Sequence, residues 1–284
     1  MITRRNILAA AAAGACPASA LAGDRPERRL ADLEARHGGR LGVAILDTAS
    51  GRLVSHRGAE RFPMCSTFKA ALAGCVLARV DRGDERPDRI IPYGRKDLQS
   101  YGPVTQEHVD EGGLTVAQLC AAAVTVSDNT AANLLLASIG GPAALTAWLR
   151  SIGDQTTRLD RTEPELNTAI PGDPRDTTTP QAMTRTLQTL VLGQALSARS
   201  RRRLADWLLG CRTGASRLKA GLPADWRIGD KTGTGRNGAT NDIGVIWPPG
   251  RAPLVTVAYY AWSKAPDAER EAVLAEVGRI VAGL

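Results

Sequence analysis

Hydrophobic positions recur at two different periods along this chain, and the change of period divides it. Over residues 27–37, charged residues surround Leu30, Leu33 and Ala35, the pattern of a helix with one apolar side, and Gly38-Gly39 ends it. Leu41, Val43 and Ile45 then alternate, residues 47–51 carry turn chemistry, and Leu53-Val54 begins a returning strand. From Ser66 to about Arg203 the pattern is mainly helical. Residues 66–79, 115–125 and 130–139 are apolar stretches rich in alanine and leucine, the last closed by Gly140-Gly141. The cluster Arg199, Arg201, Arg202 and Arg203 reads as the solvated start of a helix continuing through Leu204, Trp207 and Leu208. Strand patterns return at 226–234, 242–247 and 254–262, separated by Gly- and Pro-rich turns. Residues 268–284 close the chain as an amphipathic helix on Val273, Leu274, Val277, Ile280 and Val281.

Two strands before a helical middle and three after it predict an α/β (α+β) protein of two lobes. One lobe is a five-stranded antiparallel sheet flanked by helices, built from about 23–64 and 215–284. The other is all helical, about 65–214, and the cleft between the two is where a functional site is expected. Residues 155–180 fit neither pattern: they are polar, hold Pro164, Pro171, Pro174 and Pro180, and form a loop of the length that is usually functional. The chain shows no internal repeat and no low-complexity segment beyond its N-terminal region.

The composition, 43% hydrophobic and 23% charged over 284 residues, is that of a packed globular protein with a sizeable core. The net charge of +7 raises the question of nucleic acid, but aromatics at 4% are few for base stacking, so a solvated basic surface and no nucleic-acid partner are expected. Part of that charge sits in Arg4-Arg5, ahead of Ile7-Leu8 and the alanines 9–13, which together have the charged front and short apolar middle of a twin-arginine export signal. Small residues at Ala20-Leu21-Ala22, or at Ala18-Ser19-Ala20, offer the cut, giving a signal over residues 1–22 and a mature domain over 23–284. Cys16 lacks the large aliphatic residue before it that lipid attachment favours. No other stretch reaches the roughly 18 apolar residues of a membrane span, so an exported protein, periplasmic or secreted, with no membrane segment in its mature form is expected. Cys65, Cys75, Cys120 and Cys211 remain in that mature chain, and none forms a metal-ligand spacing with His37, His56 or His108.

Three short motifs carry the chemistry. In Ser66-Thr67-Phe68-Lys69, at about 100° per residue, the serine and the lysine fall about 60° apart on one helix face. A serine hydroxyl is a weak nucleophile that needs a neighbouring base, and a helix start adds positive backbone potential where an oxyanion would form. Ser127-Asp128-Asn129 precedes the helix at 130–139, and Lys231-Thr232-Gly233 lies in a late strand. Singly each is weak; in this order, on helix, helix start and strand, they form the set of class A β-lactamases and penicillin-binding proteins. In that frame Ser127 can pass a proton to a departing amide nitrogen, and Asn129 can hold a substrate carbonyl. Lys231 with Thr232 offers a cationic, hydroxylated grip for a carboxylate. Gly233 has no side chain, so substrate can lie along the strand edge. The backbone N–H groups of Ser66 and Thr234 can form an oxyanion hole.

The chain resembles the class A serine β-lactamases over nearly all of its mature length, because the long polar loop also contains Glu163-Pro164-Glu165-Leu166-Asn167. The resemblance implies a hydrolytic water held between Glu163 and Asn167. Penicillin-binding D-Ala-D-Ala carboxypeptidases and non-turnover β-lactam sensor domains share the three motifs and lack that loop; they are the alternatives. The resemblance further implies Arg161 with Asp176 as the ion pair closing the loop's neck, Tyr101 as an aromatic at the cleft rim, and β-lactams as substrates of a monomeric enzyme needing no cofactor. Either Lys69 or Glu163 could take the Ser66 proton. Where many relatives carry a carboxylate-assisting arginine on the strand after K-T-G, this chain has Thr240, and Arg217 takes the role in the manner of other relatives, its planar fork being suited to a carboxylate. Cys120 matches half of a disulfide whose partner position is Ala73, and Cys65 matches half of a carbapenemase-type disulfide whose partner position is Gly235, so neither bridge is expected. Thr234 beside the oxyanion site and Cys65 behind the nucleophile suggest activity on extended cephalosporins.

Overall fold

The computed structural model describes residues 25–284; the expected export signal, with Cys16, lies outside them. Five strands form the central sheet: β1 (Arg40–Asp47), β2 (Leu53–His56), β3 (Arg227–Thr234), β4 (Thr240–Trp247) and β5 (Leu254–Ala261). Their order is β2-β1-β5-β4-β3 and every pairing is antiparallel, so the two ends of the chain meet where β1 runs beside β5. The sheet expected from the hydrophobic pattern is therefore present. The period-two alternation sorts each strand between two cores. Leu41, Val43, Ile45, Ile246 and Tyr260 face α1 (Pro26–His37) and the closing helix, while Ile243, Val245, Val255, Val257 and Tyr259 face the helical half of the molecule.

The helices expected in the middle of the chain form around α2 (Phe68–Arg82), which is buried on all sides from Phe68 to Ala78. Small residues make this tolerable: a Cβ on Gly74 would stand 2.9 Å from Leu190 Cδ1 on a neighbouring helix. Around it lie α3 (Val116–Thr125), α4 (Asn129–Ile139), α5 (Pro142–Ser151), α6 (Pro180–Val191) and α7 (Ala198–Leu209), with α6 also covering β1 and β5; α8 (Asp267–Ala282) closes the chain on the far face. Caps set the starts. Thr115 and Gln118 form a capping box for α3, and the Asp128 carboxylate accepts Ala131 N–H for α4.

Two local expectations need correction. In α1 the buried residues are Leu30, Leu33 and Glu34, and Ala35 is exposed. Leu33 and Glu34 lie three and four positions from Leu30 and share its face, whereas Ala35 is turned away. The Glu34 carboxylate is compensated by Arg57 Nε at 2.9 Å and by His56. The second concerns Ser66: residues 65–67 form a separate 3-10 turn before α2, entered through Cys65 at a φ of 47°. A left-handed conformation is costly for a residue with a Cβ, and such strain is tolerated where surrounding contacts over-determine it.

Candidate active site

The turn at 65–67 leaves Ser66 at the rim of a cleft and turns Lys69, one helical turn on, into full burial. Lys69 Nζ donates to Ser66 Oγ at 3.0 Å, to Asn129 Oδ1 at 2.6 Å and to the Ser127 carbonyl at 2.9 Å. It also stands 2.8 Å from Glu163 Oε1, and neither side chain of that ion pair is exposed. Burial pulls the Lys69 pKa down, and the Glu163 charge beside it opposes the shift. Ser66 Oγ in turn donates to Glu163 Oε1 at 3.1 Å. Asn167 Nδ2 bonds the other carboxylate oxygen, Oε2.

Glu163 is delivered by the long loop, which is held at two places. At its neck Asp176 accepts from Arg161 Nε at 2.6 Å and from the backbone N–H groups of Asp160 and Arg161 at 2.7 and 2.9 Å, so Arg161 and Asp176 meet as an ion pair. At its tip the amide of Asn133 bonds the Glu163 backbone in both directions, at 2.8 and 2.9 Å. Asn133 was absent from the sequence candidates although a signal existed, since it lies four positions after Asn129 and so on the same face of α4.

Ser127 sits at the elbow between α3 and α4 with a φ of 62°. Asp128 fixes that elbow by accepting the backbone N–H groups of Val104 and Thr105 at 3.1 and 2.9 Å, while Asn129 N–H donates to the Tyr101 carbonyl at 2.9 Å. Tyr101 is thereby held at the mouth, 49% exposed. From the opposite wall Lys231 Nζ reaches Ser127 Oγ at 3.0 Å and the Thr232 carbonyl at 2.7 Å. Lys231 is fully buried; burial, with the positive charge of Lys69 added, pulls its pKa down to about 7.

Arg217, 6% exposed, donates through Nη1 to the carbonyls of Gly233 and Asn241 at 3.0 and 2.8 Å and through Nη2 to Thr234 Oγ1 at 2.8 Å. Glu271 on α8 holds its Nε at 3.1 Å. Thr240, the strand position that the resemblance sets against Arg217, accepts from Arg270 at 2.9 Å. Ser66, Tyr101, Ser127, Asn129, Asn167, Thr213, Arg217, Thr232 and Thr234 line one cleft of about 390 Å³, with Lys69, Glu163 and Lys231 in its buried floor. Thr213, a lining residue, and Glu271, which supports Arg217, are not signalled by local sequence. Thr213 shares a 2.5 Å hydroxyl contact with Thr232.

For Gly233 the physical reason differs from the expected one. A Cβ there would stand 2.7 Å from the Met64 carbonyl, so the missing side chain lets β3 pack against the segment bearing Ser66 and does not open the cleft. At Gly235 a Cβ would lie 2.6 Å from Cys65 Sγ and 2.8 Å from the Asn167 carbonyl. Cys65, Cys75, Cys120 and Cys211 are all free thiols, and burial pushes Cys65 up to about 12.

A serine hydrogen-bonded to a buried lysine, facing a second serine hydrogen-bonded to a second lysine, with a loop glutamate within bonding distance of the first, is an arrangement that can carry acyl transfer and hydrolysis. Comparison with known proteins agrees. The model of the β-lactamase enzyme family matches residues 25–283, and the chain belongs to that family, in class A. The β-lactamase CTX-M-8 of Citrobacter amalonaticus is 50% identical over 268 residues, 94% of this chain and 91% of that protein. The β-lactamase L2 of Stenotrophomonas maltophilia is 51% identical over 253 residues, 88% and 82% of the two chains. Among solved structures, an ancestral class A β-lactamase (GNCA) superimposes with a TM-score of 0.90 at 66% identity, covering 91% of this chain and 99% of its own.

Proposed function

We propose that this protein hydrolyses the amide bond of penicillins and cephalosporins through an acyl-enzyme on Ser66, and so confers resistance to them. The observation that carries this reading is Glu163: one carboxylate oxygen lies 3.1 Å from Ser66 Oγ and the other is bonded to the Asn167 amide. A carboxylate so held can serve both halves of the reaction.

In acylation Lys69 donates to Ser66 Oγ while Ser66 donates to Glu163, so the serine proton leaves toward Glu163 as Oγ attacks the lactam carbonyl. The Lys69 charge favours the developing alkoxide, and the backbone N–H groups of Ser66 and Thr234 receive the oxyanion. The proton then passes through the Lys69–Ser127 contact, 3.4 Å between Nζ and Oγ, and Ser127 gives it to the departing nitrogen. Glu163 is ionised again and the ester remains. In deacylation Glu163 takes a proton from a water that attacks the ester carbonyl; collapse of the tetrahedral intermediate returns a proton to Ser66 Oγ and releases the opened acid. Asn167 Oδ1, buried and without a partner, supplies an acceptor beside Glu163 for that water. Lys231, Arg217, Thr232 and Thr234 grip the substrate carboxylate, Asn129 the side-chain carbonyl, and Tyr101 closes the rim, with the backbone at Gly233 along the strand edge. Arg161 and Asp176 keep the loop in place.

Steady turnover of benzylpenicillin tests this directly. A burst without turnover would make the protein a sensor, and cleavage of D-Ala-D-Ala peptides with slow release of penicillin would make it a carboxypeptidase. The hydroxyl of Thr234 and the buried Cys65 favour extended cephalosporins among its substrates, which undetectable cefotaxime cleavage would reject. Residues 1–22 act as a twin-arginine signal for a monomeric periplasmic or secreted domain over 23–284. Replacing Arg4 and Arg5 by lysine should retain activity in the cytoplasm, and sedimentation should give the monomer mass.

A further inference from the structure

Two buried acids next to the cleft take no part in the route above. Asp230 immediately precedes Lys231 on β3 and is 3% exposed; Asp242 on β4 is wholly buried. In register Thr232 lies opposite Asp242 and Asp230 opposite Gly244, so the two acids are diagonal neighbours on one face of the sheet. One oxygen of each, Asp230 Oδ2 and Asp242 Oδ1, is buried without a hydrogen-bond partner. Unsatisfied buried oxygens are costly, and a single proton between the two would satisfy both. The remaining Asp242 oxygen, Oδ2, accepts Leu218 N–H at 3.2 Å.

The surroundings point the same way. Burial raises both carboxyls above the usual range, and the Asp230 charge raises Asp242 further. Lys231, Arg217, Lys219 and Cys211 are the other titratable groups that face the pair. A Cβ on Gly214 would come within 2.0 Å of Asp230 Oδ2, so only glycine lets that segment lie over Asp230. Two ionised acids here would draw Lys231 and Arg217 back from the cleft, whereas two protonated ones would leave Lys231 without nearby negative charge, Glu271 compensating Arg217 alone. One shared proton leaves one negative charge.

We propose that Asp230 and Asp242 share a single proton and act as positioning residues, tying the strand of Lys231 to the backbone beside Arg217 so that the two cations keep the spacing on which substrate-carboxylate binding depends. This rests on Lys231 and Arg217 being the carboxylate grip.

Infrared spectroscopy of the purified protein at neutral pH tests the proton, because a protonated carboxyl gives a C=O stretch that ionised carboxylates lack. The band should be present in the parent and absent from both Asp242→Asn and Asp230→Asn. Its absence from the parent overturns the shared proton. Benzylpenicillin kinetics test the positioning. Asp242→Asn can still donate to Asp230 and accept from Leu218 N–H, and should keep KM within about twofold. Asp242→Leu frees Leu218 N–H and strands the Asp230 charge, and should raise KM about tenfold, the equivalent of one charge-assisted hydrogen bond, with kcat changed less. A lowered Tm with KM unchanged would reduce the pair to a structural role and overturn the proposal. If Asp242→Leu does not fold, Asp242→Ser, which keeps an acceptor and loses the bridge, is read by the same split. A parent without β-lactam turnover would sink the hydrolase reading and the positioning with it, while the infrared band decides the shared proton independently.

Discussion

Lys69 and Lys231 are both fully buried on opposite sides of one cleft, and their surroundings differ in one respect. Lys69 has a carboxylate 2.8 Å away and three further acceptors. Lys231 bonds a hydroxyl and a carbonyl, and among the described residues no carboxylate stands within ion-pair distance of it. The first charge is compensated by the fold, so it can serve proton transfer without a ligand. The second is held in an incomplete environment that favours an incoming anion. Burial, and then the Lys69 charge, pull its pKa down, with no carboxylate at ion-pair distance among the described residues to oppose them as Glu163 does at Lys69.

The comparison breaks most readily at Glu163. Glu163→Ala removes the base on the Lys69 side and should lower steady-state turnover by about 10² to 10⁴, with a long-lived acyl-enzyme visible by mass spectrometry. Deacylation at the parent rate would refute its role. Lys69→Ala should be nearly as damaging to the fold, because it leaves Glu163 buried without its cation. A loss of about 3–5 kcal/mol is expected by denaturant unfolding, against a much smaller loss for Lys231→Ala, which strands no carboxylate. Equal losses would show that the two lysines are compensated alike.

The pH dependence sharpens the contrast. Protonated Lys231 attracts the substrate carboxylate, and its pKa is near 7 in the free enzyme, so kcat/KM for benzylpenicillin should fall as pH rises through about 7. Lys231→Arg should move that limb upward, since a guanidinium stays charged; an unmoved limb would assign it to another group. The smallest effect is expected at Gly235→Ala. Its Cβ would press on Cys65 Sγ and the Asn167 carbonyl, costing about 1–3 kcal/mol of stability and slowing deacylation through Asn167. Unchanged unfolding and kinetics would mean that the strand yields freely at this point.

Much of the site was legible because its chemistry sits in short motifs. Ser66 with Lys69, Ser127 with Asn129, and Glu163 with Asn167 are each local pairs, and helix periodicity relates their side chains before any fold is known. Thr213, Glu271 and the Asp230–Asp242 pair were not legible in the same way. Thr213 meets Thr232, and Glu271 meets Arg217 across 54 positions, through contacts with no local periodic signature. Gly233 was legible as a glycine but its reason was not, since the atom that its Cβ would strike, the Met64 carbonyl, belongs to a distant segment. Ala35 failed differently, because hydrophobicity was given weight over face, and a paired Glu34 took the buried position.

The sequence by itself determined the element types, the two-ended sheet and the short motifs whose side chains meet at the cleft, because hydrophobic period, caps and motif spacing act over a few residues. Only the tertiary structure decided how the charges are compensated: which lysine meets a carboxylate, which acids are buried on one face of the sheet, and which arginine reaches the cleft. Those outcomes depend on distances between segments far apart in the chain, and Coulomb energy and desolvation follow distance and burial in space, whatever the separation along the sequence.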